Sequence, residues 1–156
     1  MSDPFKTASA SPGYDPGALP IQKETGKKMK FTVFKVYVSD QEEARRFYVD
    51  RLGFQVAEDN LLGDYRWLLV RPPGSQEIAL NLEIARTDEE KALVGRQGAG
   101  QPLFGLSTDD CMRDYAALKG RGVQFVGEPK VMPFGTGVMM QDLCGNKIYL
   151  NQDPSA

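Results

Sequence analysis

Apolar and polar residues alternate along residues 33–40, VFKVYVSD, as they do in a strand that buries one of its two faces. Asp40 and Glu43 then form the sequence of a capping box, which starts a helix, and Gly53 is placed to end that helix. Three further runs with the composition of strands follow, separated by turn residues: 54–58, 65–71 and 77–84. The pattern predicts the order strand, helix, strand, strand, strand for the first half of the chain.

The same order returns 70 residues further along the chain. The matched segments are VFKVYVSD with LFGLSTDD at 103–110, LLV at 68–70 with VMM at 138–140, and IALN at 78–81 with IYLN at 148–151. One residue is lost inside the second helix, so that LGFQV matches RGVQF at an offset of 69. A register kept through several elements indicates an internal duplication. It predicts module 1 over about 31–84, a linker over about 85–101 and module 2 over about 102–152.

Residues 1–28 differ from the rest of the chain. They are rich in Pro, Gly, Ser, Ala and Lys and show neither helical nor strand periodicity, which predicts a disordered tail. Residues 29–156 are expected to form a single domain, because a chain of 156 residues is too short for two ordinary ones.

Composition excludes several classes of function. A net charge of −2 and a pI near 5.2 provide no field that attracts nucleic acid. No apolar run approaches the roughly 18 residues that span a bilayer, so we expect a cytoplasmic protein with no membrane partner. The chain has no histidine, which excludes catalysis by Ser–His and Cys–His pairs, and its two cysteines lack the spacing of a zinc or redox motif.

The two modules contain further features of a known superfamily. The first helix is capped by an aspartate and ends in FYVDRLGF at 47–54, and the last hairpin has the form D-x-x-G-N-x-I-x-L at 142–150. With the duplication, these motifs resemble the vicinal oxygen chelate superfamily of glyoxalase I, extradiol dioxygenases and bleomycin-resistance proteins. The resemblance covers residues 31–152. It implies an α+β fold in which two tandem βαβββ modules form an open, cup-shaped, eight-stranded sheet with helices on its convex face, and it implies a homodimer.

The resemblance also implies where a metal would bind. Metal-dependent members place four ligands, commonly histidines and glutamates, on the first and last strands of each module. The aligned positions are Val33, Ala79, Leu103 and Tyr149. None of these side chains is a usual ligand of a divalent cation, so we expect neither a metal nor another cofactor.

Strand alternation separates two faces of the predicted sheet. One face is entirely apolar, from Phe34 through Ile78 to Leu150, and should pack beneath the helices. The other face mixes aromatic, amide and charged side chains, as a ligand pocket does. The candidate ligand-binding residues, including one aromatic in the 130–137 loop that could lie over the cup, are Lys35, Tyr37, Trp67, Asn81, Ser107, Phe134, Gln141, Tyr149 and Asn151.

Two alternatives stay open for this face. Its aromatic side chains could fill the cup or a subunit contact without any ligand. Asn81 and Asn151, which the offset of 70 makes equivalent, could hydrogen-bond each other instead of a ligand.

The favoured function is a metal-free small-molecule binding protein of the bleomycin-resistance type, which holds an aromatic or planar compound. A metal-dependent lyase or dioxygenase has little support, because the ligands are missing. A metal-independent enzyme would need Tyr149, or Tyr37 with Lys35, to carry protons. The sequence therefore favours binding over catalysis and identifies no substrate.

Overall fold

The computed structural model describes residues 28–155. The predicted disordered tail therefore lies outside the described residues, apart from Lys28. A compact unit begins at Phe31. No helix in the described range is long and apolar enough to cross a membrane.

Module 1 contains four strands and one helix, and α1 continues into a π-helical turn at Phe47–Arg51. Its elements are β1 (Val33–Val38), α1 (Gln41–Arg46), β2 (Gln55–Leu62), β3 (Tyr65–Arg71) and β4 (Ala79–Ile84). A short linker helix follows, α2 (Asp88–Leu93). Module 2 repeats the order with β5 (Pro102–Ser107), α3 (Cys111–Gly120), β6 (Gln124–Met132), β7 (Gly135–Gln141) and β8 (Lys147–Gln152).

Aspartate side chains start both module helices. The carboxylate of Asp40 accepts a hydrogen bond from the Glu43 N–H at 2.9 Å, and Asp110 accepts one from the Arg113 N–H at 2.9 Å. Gly53 follows the first helix with a φ of 80°, a left-handed conformation that glycine adopts without strain. The predicted helix start and stop are therefore confirmed.

The strands form two four-stranded sheets, ordered β1-β4-β3-β2 and β5-β8-β7-β6. In each sheet the first and last strands of the module are parallel neighbours, and the other neighbours are antiparallel. This arrangement confirms an α+β fold built from two tandem βαβββ modules. The eight strands are divided between two open sheets and do not form one hydrogen-bonded sheet.

The apolar faces of both sheets contribute to one buried cluster, together with α1 and α3. Val36 and Val38 of β1 and Met140 of β7 lie in it, as the alternation predicts. The prediction is wrong for Phe34 and Ile78, whose side chains are 48% and 39% exposed. Phe34 lies near the N-terminal end of β1 and Ile78 immediately precedes β4, whereas α1 follows the C-terminal end of β1.

The last strand breaks the predicted repeat. In module 1, Asn81 of β4 pairs with Lys35 of β1 and Leu69 of β3. In module 2 the residues 70 positions later, Gly105 and Met139, both pair with Tyr149 and not with Asn151. The physical cause is the turn before β8, residues 142–146, which is two residues shorter than the turn at 72–78 before β4.

The predicted equivalences of Ala79 with Tyr149 and of Asn81 with Asn151 are therefore wrong. The structural counterpart of Tyr149 is Asn81, and the counterpart of Asn151 is Glu83. A shift of two residues leaves every side chain on its predicted face, because side chains alternate with a period of two along a strand.

Candidate functional site

A hydrogen-bonded group of Tyr65, Asn81 and Glu83 lies on the polar face of module 1, where β3 begins and β4 ends. The Glu83 carboxylate, in a residue 9% exposed, accepts hydrogen bonds from the Tyr65 hydroxyl at 2.7 Å and from Asn81 Nδ2 at 2.9 Å. An ionised carboxylate only accepts, so the NH₂ of Asn81 must face Glu83. Its Oδ1 atom is buried and has no hydrogen-bond partner among the described residues.

Sequence reasoning missed Tyr65 and Glu83. Both lie on the polar face by simple alternation, Tyr65 two residues before Trp67 and Glu83 two residues after Asn81. The hydrogen bond to Glu83, followed by burial, raises the pKa of Tyr65 above its usual value. The tyrosine is therefore held as a hydrogen-bond donor at neutral pH.

Lys35 and Tyr37 adjoin this group. Lys35 lies beside Asn81 in register and Tyr37 beside Glu83. The Lys35 Nζ atom is 5.7 Å from the centroid of the Tyr37 ring, a cation–π distance. The structure thus brings together three of the predicted site residues, Lys35, Tyr37 and Asn81.

Trp67 forms part of an open pocket of about 400 Å³ on the same face. Its indole N–H donates to Glu58 Oε2 at 3.1 Å, which fixes the ring against β2. The pocket is lined by residues of module 1, among them Val33, Leu69, Arg71 and Ala79. Trp67 therefore lines a pocket on the predicted face, and its role as an aromatic wall for a ligand stays a prediction.

The remaining candidates lie on module 2. Ser107 pairs with Asn151, and Gln141 pairs with Lys147, on the polar face of its sheet. Asn151 donates to Asp153 at 3.1 Å, so the possible hydrogen bond between Asn81 and Asn151 is not formed by these amides. Phe134 lies at the tip of the β6–β7 hairpin, is 58% exposed and does not line the Trp67 pocket.

The two polar faces differ in side-chain size. Bulky residues of module 1 correspond by position to glycine or serine in module 2. These pairs are Lys35 and Gly105, Tyr37 and Ser107, Tyr65 and Gly135, and Trp67 and Gly137. The duplication has therefore produced one face with large aromatic and basic side chains and one face with small residues at the corresponding positions, of which Gly105 is exposed and Gly135 and Gly137 are buried.

A buried carboxylate holds the turn that leads to Tyr149. Asp142, 5% exposed, accepts hydrogen bonds from the Tyr48 hydroxyl at 2.8 Å, from Asn146 Nδ2 at 2.9 Å, and from the backbone N–H groups of Cys144 and Asn146 at 2.9 Å. Burial, then the charge of Asp142, raises the pKa of Tyr48 well above its usual value. The D-x-x-G-N sequence thus fixes the register of β8 and links it to helix residues of module 1.

The positions implied for a metal do not fit one. Val33, Leu103 and Tyr149 carry no usual ligand, and the structure replaces Ala79 by Asn81 as the counterpart of Tyr149. Within residues 28–155, no group of three or more His, Cys, Asp and Glu side chains could hold a metal ion. The donor set therefore disagrees with the metal-dependent branch implied by the resemblance.

Two tandem βαβββ modules with a polar, aromatic face on each sheet define a scaffold of the glyoxalase and bleomycin-resistance class. A sequence model of the Glyoxalase/Bleomycin resistance protein/Dioxygenase superfamily matches residues 30–150. The chain belongs to this superfamily, and the resemblance found in its sequence is confirmed.

Relatives and solved structures of similar length support the assignment. The chain is 36% identical over 121 residues to an uncharacterized protein of Shewanella frigidimarina, covering 76% of this chain and 90% of the relative. It is 33% identical to the uncharacterized protein YurT of Bacillus subtilis, covering 80% and 99%. The crystal structure of UcmS2 has a TM-score of 0.73 and 29% identity, covering 80% and 98%. That of TnmS3, an antibiotic binding protein from Streptomyces sp. CB03234, has a TM-score of 0.65 and 36% identity, covering 81% and 97%.

Proposed function

We propose that this chain is a metal-independent binding protein that holds an aromatic or planar small molecule against its polar sheet faces. One observation carries the proposal: the positions implied for a metal hold Val33, Ala79, Leu103 and Tyr149, with Asn81 as the structural counterpart of Tyr149, while the same faces present aromatic rings and fixed polar groups. Walls of aromatic side chains with a few oriented polar groups suit recognition of a flat ligand.

Similarity to an antibiotic binding protein supports the same function. TnmS3 is described as binding an antibiotic, and the chain is 36% identical to it over most of both sequences. We therefore propose sequestration of a drug-like or metabolic aromatic compound, which needs affinity and no catalyst.

The module 1 face supplies a binding mode. A planar ligand in the pocket of about 400 Å³ would lie against Trp67, with the charged groups of Arg71 and Glu77 among its lining. Asn81 does not line this pocket and its unpartnered Oδ1 is buried, so a ligand N–H or O–H group would reach that atom only after a local rearrangement.

A metal-independent enzyme of the same superfamily is the alternative. It would require a tyrosine or lysine to take up a proton near neutral pH. The raised pKa of Tyr65 makes its phenolate scarcer at that pH, which supports binding over base catalysis by this group.

The proposal includes a cytoplasmic homodimer that binds no nucleic acid. Support for the dimer comes from matching exposed apolar residues on the two long hairpins, Leu61 and Leu62 in module 1 and Val131 and Met132 in module 2. Apolar side chains of this kind at hairpin tips favour association with a second copy.

The test is a thermal-shift screen of aromatic antibiotics and aromatic metabolites against the full chain. A ligand at a hundredfold excess over its Kd should stabilise the fold by about 2.7 kcal/mol. Trp67 is the single tryptophan, so a true ligand of its pocket should also change its fluorescence, and Trp67→Phe should remove that signal while retaining most of the affinity. Elemental analysis of protein purified without chelator accompanies the screen. One tightly bound metal equivalent, or chemical conversion of the hits, would overturn the proposal.

A further inference from the structure

Tyr149 lies in an unusual position on the polar face of module 2. It pairs with Met139 across β7 and β8, yet its ring reaches diagonally back over Gly137. A β-carbon at position 137 would overlap the Oη and Cζ atoms of the ring and would lie 3.1 Å from Cε1. Because Gly137 lacks a left-handed φ, space for the tyrosine is the feature that requires glycine there.

Gly137 therefore lets the ring rest on the backbone of β7. An aromatic side chain that covers a glycine on a neighbouring strand is a known way to stabilise sheets. Tyr149 remains partly exposed although the hydroxyl end of its ring lies over Gly137, so part of the ring stays accessible.

The surroundings of the ring are unusually open. Its register partner on β5 is Gly105, where an added β-carbon would make only an ordinary contact of 3.6 Å with the Tyr149 carbonyl oxygen. The module 1 counterparts of Gly105 and Gly137 are Lys35 and Trp67. The two glycines beside Tyr149 are therefore a departure from the repeat and not a property of the fold.

We propose that Tyr149, whose ring reaches over Gly137, is a stacking platform on the polar face of module 2 and selects a planar ring system as the ligand of that face. The inference rests on the proposed function and adds to it the residue pair that selects ligand shape. A flat ring can stack on the phenol with an offset, whereas a puckered ring of the same size contacts it at only a few atoms. Such a pair is expected to favour the planar compound about 2- to 12-fold beyond the effect of buried area.

The test compares 2-naphthol with decahydro-2-naphthol, which share a carbon skeleton and a hydroxyl group but differ in planarity. Their affinities are measured by titration calorimetry for the full chain and for variants. In Tyr149→Leu the ratio of the two affinities should fall about 2- to 12-fold, whereas Tyr149→Phe, which retains the ring, should keep the wild-type ratio.

Two glycine variants form a matched pair. Gly137→Ala should displace the ring and lower the ratio as Tyr149→Leu does, while Gly74→Ala, which lies on module 1 with open space for its methyl group, should leave the ratio unchanged. Thermal unfolding of each variant reports whether it folds. If Gly137→Ala does not, the Leu and Phe variants at position 149 decide the question without it.

Failure of this inference can be told from failure of the proposed function. If the wild type binds 2-naphthol and Tyr149→Leu keeps the ratio, the platform is refuted and the binding function stands. If the wild type prefers the puckered alcohol or binds neither compound, the platform is also refuted. Only the absence of any aromatic ligand in the broader screen would overturn the binding function itself.

Discussion

Removal of one buried hydroxyl group tests the link between the two modules. Tyr48 lies on the π-helical turn of module 1, and its hydroxyl donates to the Asp142 carboxylate of module 2 at 2.8 Å. Both residues are buried. Tyr48→Phe keeps the ring, which packs edge-on against Phe47 at a centroid distance of 5.4 Å, and deletes only the oxygen.

The expected loss follows from the charge of the acceptor. A hydrogen bond to an ionised group contributes about 1.5–3 kcal/mol, against about 0.5–1.5 kcal/mol for a neutral pair. In the variant, the Asp142 carboxylate still accepts hydrogen bonds from the Asn146 side chain and from the backbone N–H groups of Cys144 and Asn146, so it loses only one of its four donors. We expect Tyr48→Phe to lower the free energy of unfolding by about 1.5–3 kcal/mol.

Urea denaturation at neutral pH measures this change, with Tyr115→Phe as the control. The Tyr115 hydroxyl accepts only from the exposed Lys119 Nζ at 3.2 Å, so that variant should change stability by less than about 0.5 kcal/mol. Equal losses for the two variants, or a loss below about 0.5 kcal/mol for Tyr48→Phe, would refute the reasoning.

The raised pKa of Tyr48 provides a second readout. An acid whose pKa is higher in the folded than in the unfolded chain gives stability that is complete below the unfolded pKa of about 10 and declines as pH rises above it. The difference between wild type and Tyr48→Phe should therefore shrink at alkaline pH. A constant difference up to the limit of folding would contradict the assigned direction.

Three further predictions concern the linker and the turn before β8. Gly95→Ala should destabilise the fold by more than about 1 kcal/mol, because φ is 72° and a β-carbon would overlap the Cys144 carbonyl, whereas Gly74→Ala, with open space, should be nearly neutral in the same urea assay. The Gln97 side chain covers the free edge of β1, because its amide oxygen accepts from the Tyr37 N–H at 2.7 Å and its NH₂ donates to the Lys35 carbonyl at 3.1 Å. Gln97→Ala should therefore lower the free energy of unfolding by about 1 kcal/mol and speed hydrogen exchange at the Tyr37 amide. Burial, and after it the charge of Asp142, raises the pKa of Cys144 from 9.0 to about 11. Wild-type stability should therefore decline as pH rises from about 9 through 11, and Cys144→Ala should flatten that decline. Equal slopes of unfolding free energy against pH for the two proteins would exclude the thiol as the cause.

Local patterns predicted most of the fold. Period-two alternation assigned Val36, Met140 and Leu150 to the core, and the aspartate caps located both module helices. These signals are local, since each depends on residues within one element. Alternation alone would also have found Tyr65 and Glu83 had it been applied to the whole length of β3 and β4.

Contacts between distant segments could not be predicted in this way. The Gln97 amide bonds to β1 across 60 and 62 residues, and Tyr48 bonds to Asp142 across 94. No periodicity records which side chain will meet a free strand edge, because that depends on how the linker packs. In the sequence, Gln97 therefore cannot be distinguished from the other polar residues of the linker, although it is the one whose side chain bonds to β1.

The repeat itself shows how sequence identity can mislead. IALN and IYLN align at an offset of 70 because Ile, Leu and Asn coincide, but strand pairing follows the length of the preceding turn, and the Asp142 turn is two residues shorter. The shortened turn brings Tyr149, and not Asn151, opposite Gly105 and Met139. At that position the ring can reach Gly137, so the shorter turn and the glycine on β7 together place an aromatic ring where module 1 has a buried amide. A variant that lacks Lys147 and Ile148 but keeps the five-residue turn should move Asn151 into register with Gly105, place Tyr149 where Lys147 now lies, and expose Tyr149 to acrylamide quenching of its fluorescence in a Trp67→Phe background.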